Sequence, residues 1–273
     1  MKLILQFSAA VSLAALVPFA AVAAAPPAAA AASEDARLTA FLDAEFAQEL
    51  KLRPQLATRL GIKDAQDKLD DNSDAGALRL LDWRRDSVAR MKASFDRAKL
   101  SPEAQVNFDI WAQELDRAEL SYKFRRYRPP FYSFLYSIHG QLPDFLINTH
   151  SVSEAADLKA YAARIRAIPA ALDTAIAQSR ESAAEGIRTP KFQIERVIAG
   201  SRTLTSGAPF DSGPDTPLWA DAKAKAAKLV SGGKATQAEA DALLADVKAA
   251  LLEMKPGYQR VIAWAESELP TAP

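Results

Sequence analysis

Apolar residues in this chain recur at alternating steps of three and four, and that period constrains the fold more than any other feature. One series is Phe108, Trp111, Leu115, Ala118 and Tyr122; another is Leu158, Tyr161, Ile165, Ile168 and Leu172. Such steps hold side chains on one face of a helix of about 3.6 residues per turn. Four more stripes follow the same rule: Leu38, Phe41, Leu42, Phe46 and Leu50; Leu78, Leu81, Val88, Met91 and Phe95; Leu243, Leu244, Val247, Leu251 and Met254; and Tyr258, Val261, Ile262, Ala265 and Leu269. Period-two alternation is nearly absent. Its one candidate, Phe131 to Ile138 between Pro129-Pro130 and Gly140, is compatible with a strand, a short helix or an ordered loop. The pattern predicts an all-α protein, a multi-helix array of amphipathic antiparallel helices, about seven to nine in number.

End signals agree with the stripes. Ser101-Pro102 places a capping hydroxyl before proline at the first helical position, and Thr189-Pro190 and Thr216-Pro217 repeat the arrangement. Thr236 and Glu239 have capping-box spacing. Gly186, Gly207 and Gly232-Gly233 are stop signals. Pro169 falls inside the Leu158 to Leu172 stripe and is expected to kink or split that helix. Pro and Gly gather between residues 207 and 217, the best candidate for a subdomain boundary.

The chain opens with Met1-Lys2, an almost unbroken apolar run from Leu3 to Ala15 with Leu16 just beyond, Pro18, and then Ala21-Val22-Ala23. That order is a secretory signal peptide over residues 1–23, and its apolar run is short for a membrane span of about 20 residues. Residues 24–32 are only Ala and Pro, a tether, and residues 33–273 hold the helical domain. The expected location is therefore export, periplasmic or secreted, with no stable membrane span. Of the 273 residues, 34 are Lys or Arg and 34 are Asp or Glu, so the balance gives no general reason to bind nucleic acid or anionic membrane. With no cysteine, thiol catalysis, Cys-based zinc sites and Cys-linked lipid are excluded.

Catalytic motifs are missing. Zinc peptidases commonly set two histidines one helical turn apart with a glutamate between them. Only His139 and His150 exist, and neither opens that motif. His150 and Glu154 are candidate co-ligands, but Ser153 is expected to begin a helix between them. Asp70, Asn72 and Asp74 alternate as in a calcium loop, yet Ala75 and Leu81 occupy the positions that need Gly and Glu, so the cluster is read as a helix cap. Ser231-Gly232-Gly233-Lys234 lacks the remainder of a phosphate loop, and no serine-nucleophile elbow occurs. No catalytic or metal-ligating residue is assigned, and no cofactor is expected in this chain.

One segment is unusual. Tyr122, Phe124, Tyr127, Phe131, Tyr132, Phe134 and Tyr136 are interleaved with Lys123, Arg125, Arg126 and Arg128. Planar rings and guanidinium groups suit a carboxylate or an extended peptide, and the candidate binding residues are Arg125, Arg126, Arg128, Tyr132 and Tyr136. The competing reading is a basic helix end followed by core aromatics.

Several stretches in order resemble a bacterial family. Arg53-Pro54-Gln55-Leu56-Ala57-Thr58-Arg59-Leu60-Gly61, followed by Asp67-Lys68-Leu69-Asp70-Asp71-Asn72-Ser73, resembles the opening of the domain-of-unknown-function-885 family. Leu100-Ser101-Pro102-Glu103-Ala104-Gln105 and Gly140-Gln141-Leu142-Pro143 continue the match. So do Tyr161-Ala162-Ala163-Arg164-Ile165, Gly186-Ile187-Arg188-Thr189-Pro190, and Pro256-Gly257-Tyr258, the last similar to a helix start. The resemblance spans roughly residues 37–269.

It implies an all-helical, exported protein of zinc-metallopeptidase type. The family's H-E-x-x-P-G-H-H and E-G-W-A segments lie beyond the stretch that this chain matches, so zinc is implied for the full-length family only. On this expectation the chain is the N-terminal half of such a protein, truncated or split and inactive alone, its partner a complementary C-terminal half or a peptide substrate. The alternative is a free-standing periplasmic module that binds a peptide or partner helix. A missing half is further expected to leave an apolar face uncovered near Leu243 to Leu269 and to promote self-association.

Overall fold

The computed structural model describes residues 33–133 and 135–273. The segments read as a signal peptide and an Ala/Pro tether, residues 1–32, lie outside the described residues. The described residues hold nine α-helices: α1 (Glu34–Leu52), α2 (Pro54–Arg59), α3 (Asp74–Ser94), α4 (Pro102–Lys123), α5 (Ile138–Asn148), α6 (Ala155–Ala184), α7 (Lys191–Thr205), α8 (Pro217–Ser231) and α9 (Gln237–Glu268). The chain is all-α; among the described residues the strand-type pairing is a single isolated bridge between Ala208 and Asp215.

The centre is the pair α6 and α9, with α7 and α8 packed on α9. Leu158, Tyr161, Ile165, Ile168 and Leu172 of α6 are all fully buried, as the three-four spacing requires. Val247, Leu251, Met254, Tyr258, Val261 and Ala265 of α9 face them in the same cluster. The face expected to lie open at Leu243 to Leu269 is therefore the interior of the molecule, because α6, α7 and α8 cover it.

Two prolines lie inside unbroken helices for one shared reason. Pro169 does not split α6, which runs unbroken for 30 residues. Pro256 does not start a helix but sits inside the 32-residue α9, which joins two of the predicted stripes. The Pro169 ring region rests against Gly257, where a Cβ would come within 2.9 Å of the Pro169 Cα. Packing along the whole α6–α9 seam outweighs the lost backbone hydrogen bond of each proline, a cost of about 3 kcal/mol in isolation.

A smaller core joins α1, α3 and α4 through Leu38, Met91, Phe95, Leu100, Ala104 and Phe108. Here the stripe reading of α1 is corrected. Phe46 is exposed, while Glu45 and Glu49 are buried. Arg90 donates to Glu45 at 2.8 Å and Arg84 to Glu49 at 2.8 Å. The Arg84 guanidinium lies between the rings of Trp83 and Trp111, at 4.7 and 4.5 Å. Charges turn inward because their partners on α3 are already there.

Caps were partly legible. Ser101 accepts from Ala104 N, and Thr236 with Glu239 closes a capping box. Thr216 caps α8 by position, but its hydroxyl donates to the Ala208 carbonyl instead of capping. The α7 helix begins one residue later than expected, with Pro190 preceding it. The residue that caps α3 is Ser73, not the acidic cluster, and α6 starts from Glu154 with Asp157 rather than from Ser153.

Polar contacts join α6 to α2 and to the loop that follows it. Arg164 of α6, fully buried, donates to Thr58 Oγ1 at 2.7 Å and to the Lys68 carbonyl at 2.8 Å. Lys63 donates to both carboxylate oxygens of Asp157, at 2.8 and 2.7 Å.

Candidate functional site

The basic–aromatic segment follows the end of α4 and leads into α5. Residues 125–127 make one tight helical turn, and none of the described residues between it and Ile138 is in a strand. Phe131, wholly buried, anchors the loop against Trp264 of α9, ring centres 4.6 Å apart. Backbone bonds from Tyr132 N to the Pro129 carbonyl and from Ile138 N to the Pro130 carbonyl fold it back on itself. Gln193 of α7 donates from Nε2 to the Ser133 carbonyl at 3.1 Å.

This anchoring divides the five candidate residues. Arg128, Tyr132 and Tyr136 line one cavity of about 450 Å³ together with Tyr127, Pro129, Pro130 and Ser133. Arg125 and Arg126 turn away. Arg125 donates to Asp74 Oδ2 at 3.0 Å and lies on the Tyr122 ring. Arg126 donates to Asp74 at 2.6 Å and pairs with Glu181. Gln178 also donates to Asp74. Partial burial opposes ionisation of Asp74, but the hydrogen bonds from Arg125 and Gln178 and the charge of Arg126 hold its pKa below the ordinary carboxylate value. Phe131 is core, as the competing reading has it, and Tyr127, Tyr132 and Tyr136 are exposed.

A second cavity, about 520 Å³, lies beside Leu135, Ser137, His139, Asp144, Gln193 and Arg196. Ser137 precedes α5, yet its hydroxyl is hydrogen-bonded to His139 Nδ1 at 2.7 Å rather than to the helix backbone. Burial pushes the His139 imidazole down to about 4. The Gln193 Oε1 atom is buried and has no partner among the described residues. Sequence reasoning passed over this cavity because its lining comes from the loop, α5 and α7, which no local motif connects.

Three of the four histidine nitrogens are held by protein partners. Both His150 nitrogens are engaged, Nε2 with the Asp157 carbonyl at 2.9 Å and Nδ1 with the Arg164 guanidinium at 2.9 Å. A cation at that distance opposes a metal ion. His139 spends Nδ1 on Ser137, and Nε2 abuts Gly200, where a Cβ would lie 3.0 Å away. Glu154 pairs with Lys63. Among the described residues no three His, Asp or Glu side chains gather as a metal site.

The model of a family described as "Bacterial protein of unknown function (DUF885)" matches residues 54–273. Among curated proteins none matches. One solved structure, described as "the putative lipoprotein from Colwellia psychrerythraea", is similar with a TM-score of 0.64 at 16% identity. The match covers 88% of this chain and 42% of that one, so this chain spans about two fifths of that protein's length. At such identity the likeness is one of fold.

Proposed function

The chain belongs to the bacterial DUF885 family, and from that premise we propose that it is the noncatalytic N-terminal helical half of an exported zinc-metallopeptidase-like protein. Its role is to wall one side of a peptide-binding cleft. The observation that carries this reading is the gathering of Arg128, Tyr132 and Tyr136 at one cavity, on a loop pinned at both ends. The chemistry of the two histidines supports a role without metal: both of the His150 nitrogens and one of His139's already hold protein partners. Zinc chemistry then belongs to the longer family protein, whose activity and substrates are part of the proposal.

Export is supported by the apolar start and by the fold likeness to a protein described as a lipoprotein. Lipid attachment is not carried over, since the chain has no cysteine. No helix among the described residues is long and apolar enough to cross a membrane. Mass spectrometry of a bacterial envelope fraction tests export: the expected N-terminus follows Ala23 or Ala25, and recovery of intact Met1 in the cytoplasm refutes it. Titration of metal-stripped protein with zinc, beside an assay on mixed peptides, tests the noncatalytic role. One tight equivalent of zinc with zinc-dependent cleavage would overturn it.

A free-standing periplasmic peptide-binding module is the second reading, and the same open groove favours it. The DNA after Pro273 separates the two: a frame encoding H-E-x-x-P-G-H-H supports the first, and its absence the second.

A further inference from the structure

We propose that the groove of Tyr127, Tyr132, Tyr136 and Arg128 takes an extended, proline-containing peptide bearing a carboxylate. The proposal deepens the reading of this loop as a ligand-facing wall and rests on it.

The first argument is exposure. Tyr127, Tyr132 and Tyr136 are 62%, 46% and 69% exposed, within ten residues of one another. Phe131, Tyr161 and Tyr258 are fully covered, and the other exposed rings, Phe46, Phe124 and Phe192, include one, Phe124, that borders this segment. Large aromatic groups held open side by side mark recognition surfaces, since each offers broad contact area with few torsions to freeze.

The second argument is pre-organisation. Pro129 and Pro130 fix their own backbone angles, Phe131 is locked in the core, and Tyr127 rests edge-on against Phe124 at 5.7 Å. A ligand meeting such a groove costs little ordering of the protein.

Occupant chemistry follows by comparing how peptides dock. Strand addition needs an open sheet edge, and the isolated Ala208–Asp215 bridge is the sole strand-type pairing among the described residues. Helix docking needs an aliphatic trough, whereas this lining is rings and prolines. A polyproline-type ligand suits a shallow aromatic groove, because it is already extended and its pyrrolidine rings stack on aromatic faces.

Charge completes the assignment. Of the three arginines in the segment, Arg125 and Arg126 are satisfied by Asp74 and Glu181. Arg128 is exposed, has no ion-pair partner among the described residues, and no acidic side chain lines the groove. A guanidinium in that state binds a carboxylate by donating two parallel hydrogen bonds to it.

The test uses three N-acetylated, C-amidated peptides and isothermal titration against the purified chain: four prolines flanked by glutamates, four prolines flanked by lysines, and four alanines flanked by glutamates. The glutamate–proline peptide is expected to bind at least about tenfold more tightly than either of the others. Arg128→Glu is expected to reverse the preference between glutamate and lysine peptides. Combined Tyr132→Ala and Tyr136→Ala is expected to abolish binding with an unchanged melting temperature, since both rings are exposed. Equal binding of the charged pair, a preference untouched by Arg128→Glu, undiminished binding by the tyrosine double variant, or no binding at millimolar peptide each overturns the proposal. None of these readouts involves zinc or cleavage, so failure of the metallopeptidase reading is seen separately, in the zinc titration.

Discussion

The guanidinium of Arg164, on α6, donates across 2.9 Å to Nδ1 of His150, just past the end of α5. The contact fixes the imidazole: Nδ1 accepts, so Nε2 carries the hydrogen and donates to the Asp157 carbonyl. Burial pushes Arg164 down to about 10 and, ahead of the nearby positive charges, His150 down to about 4. One buried cation thereby ties α2 and the loop after it to α6, beside the apolar contact that Leu69 makes with the main core.

Arg164→Leu is expected to destabilise the protein by about 3 kcal/mol or more, because Thr58 Oγ1, the Lys68 carbonyl and His150 Nδ1 all lose their donor. Urea denaturation measures this. A change below about 1 kcal/mol would mean that water substitutes freely for the guanidinium.

Stability is expected to fall as pH drops from about 6.5 towards 4. His139 and His150 titrate at about 4 when folded, against an ordinary value of 6.5. The unfolded chain then binds protons that the folded chain refuses, so acid favours unfolding across that window; above it the contribution is complete and flat. Denaturation midpoints at pH 7.5, 6 and 5 read the slope, which His150→Gln should reduce. Midpoints rising towards acid would contradict the assignment of neutral, buried imidazoles.

Gly257→Ala is expected to cost about 1–3 kcal/mol by overpacking, since the new methyl meets Pro169 backbone at 2.9 Å rather than a movable side-chain tip. Thermal melts of the variant beside Gly140→Ala, whose added Cβ meets nothing within 4 Å, isolate the contact.

Leu172→Ala is expected to cost about 2–5 kcal/mol, and Leu252→Ala about 0.5 kcal/mol or less. The first side chain is fully buried in the α6–α9 seam and the second is exposed on α9. Equal effects would mean that the faces of these helices are wrongly placed.

Arg126→Ala is expected to cost about 1–2 kcal/mol, because its side chain is largely buried and joins Asp74 at the start of α3 to Glu181 on α6. Arg128→Ala is expected to leave the melting curve unchanged. Loss of stability in Arg128→Ala instead would show that it belongs to the frame of the fold and not to the groove.

Much of the helical frame was legible because its cause is local. In α6, Leu158 to Leu172 follow one face, and every member of the stripe is buried. In α1 the same rule misassigned a face: Phe46 points out, while Glu45 and Glu49 point in to arginines 45 and 35 positions away. No local period encodes a partner at that distance. The groove shows the same limit. Arg125, Arg126 and Arg128 look alike in sequence, and distant acids, Asp74 51 residues from Arg125 and Glu181 on α6, separate two structural cations from one that is open.

Sequence by itself determined the all-α class, most helix positions and the unusual character of residues 122–136, since these depend on neighbours three and four residues apart and on composition. Tertiary structure decided the rest. It set which arginines are spent, made α9 the buried centre rather than an uncovered face, and carried both helices through their prolines. Each outcome depends on which distant surfaces meet, and on packing energy summed along a whole seam outweighing a local penalty at one residue.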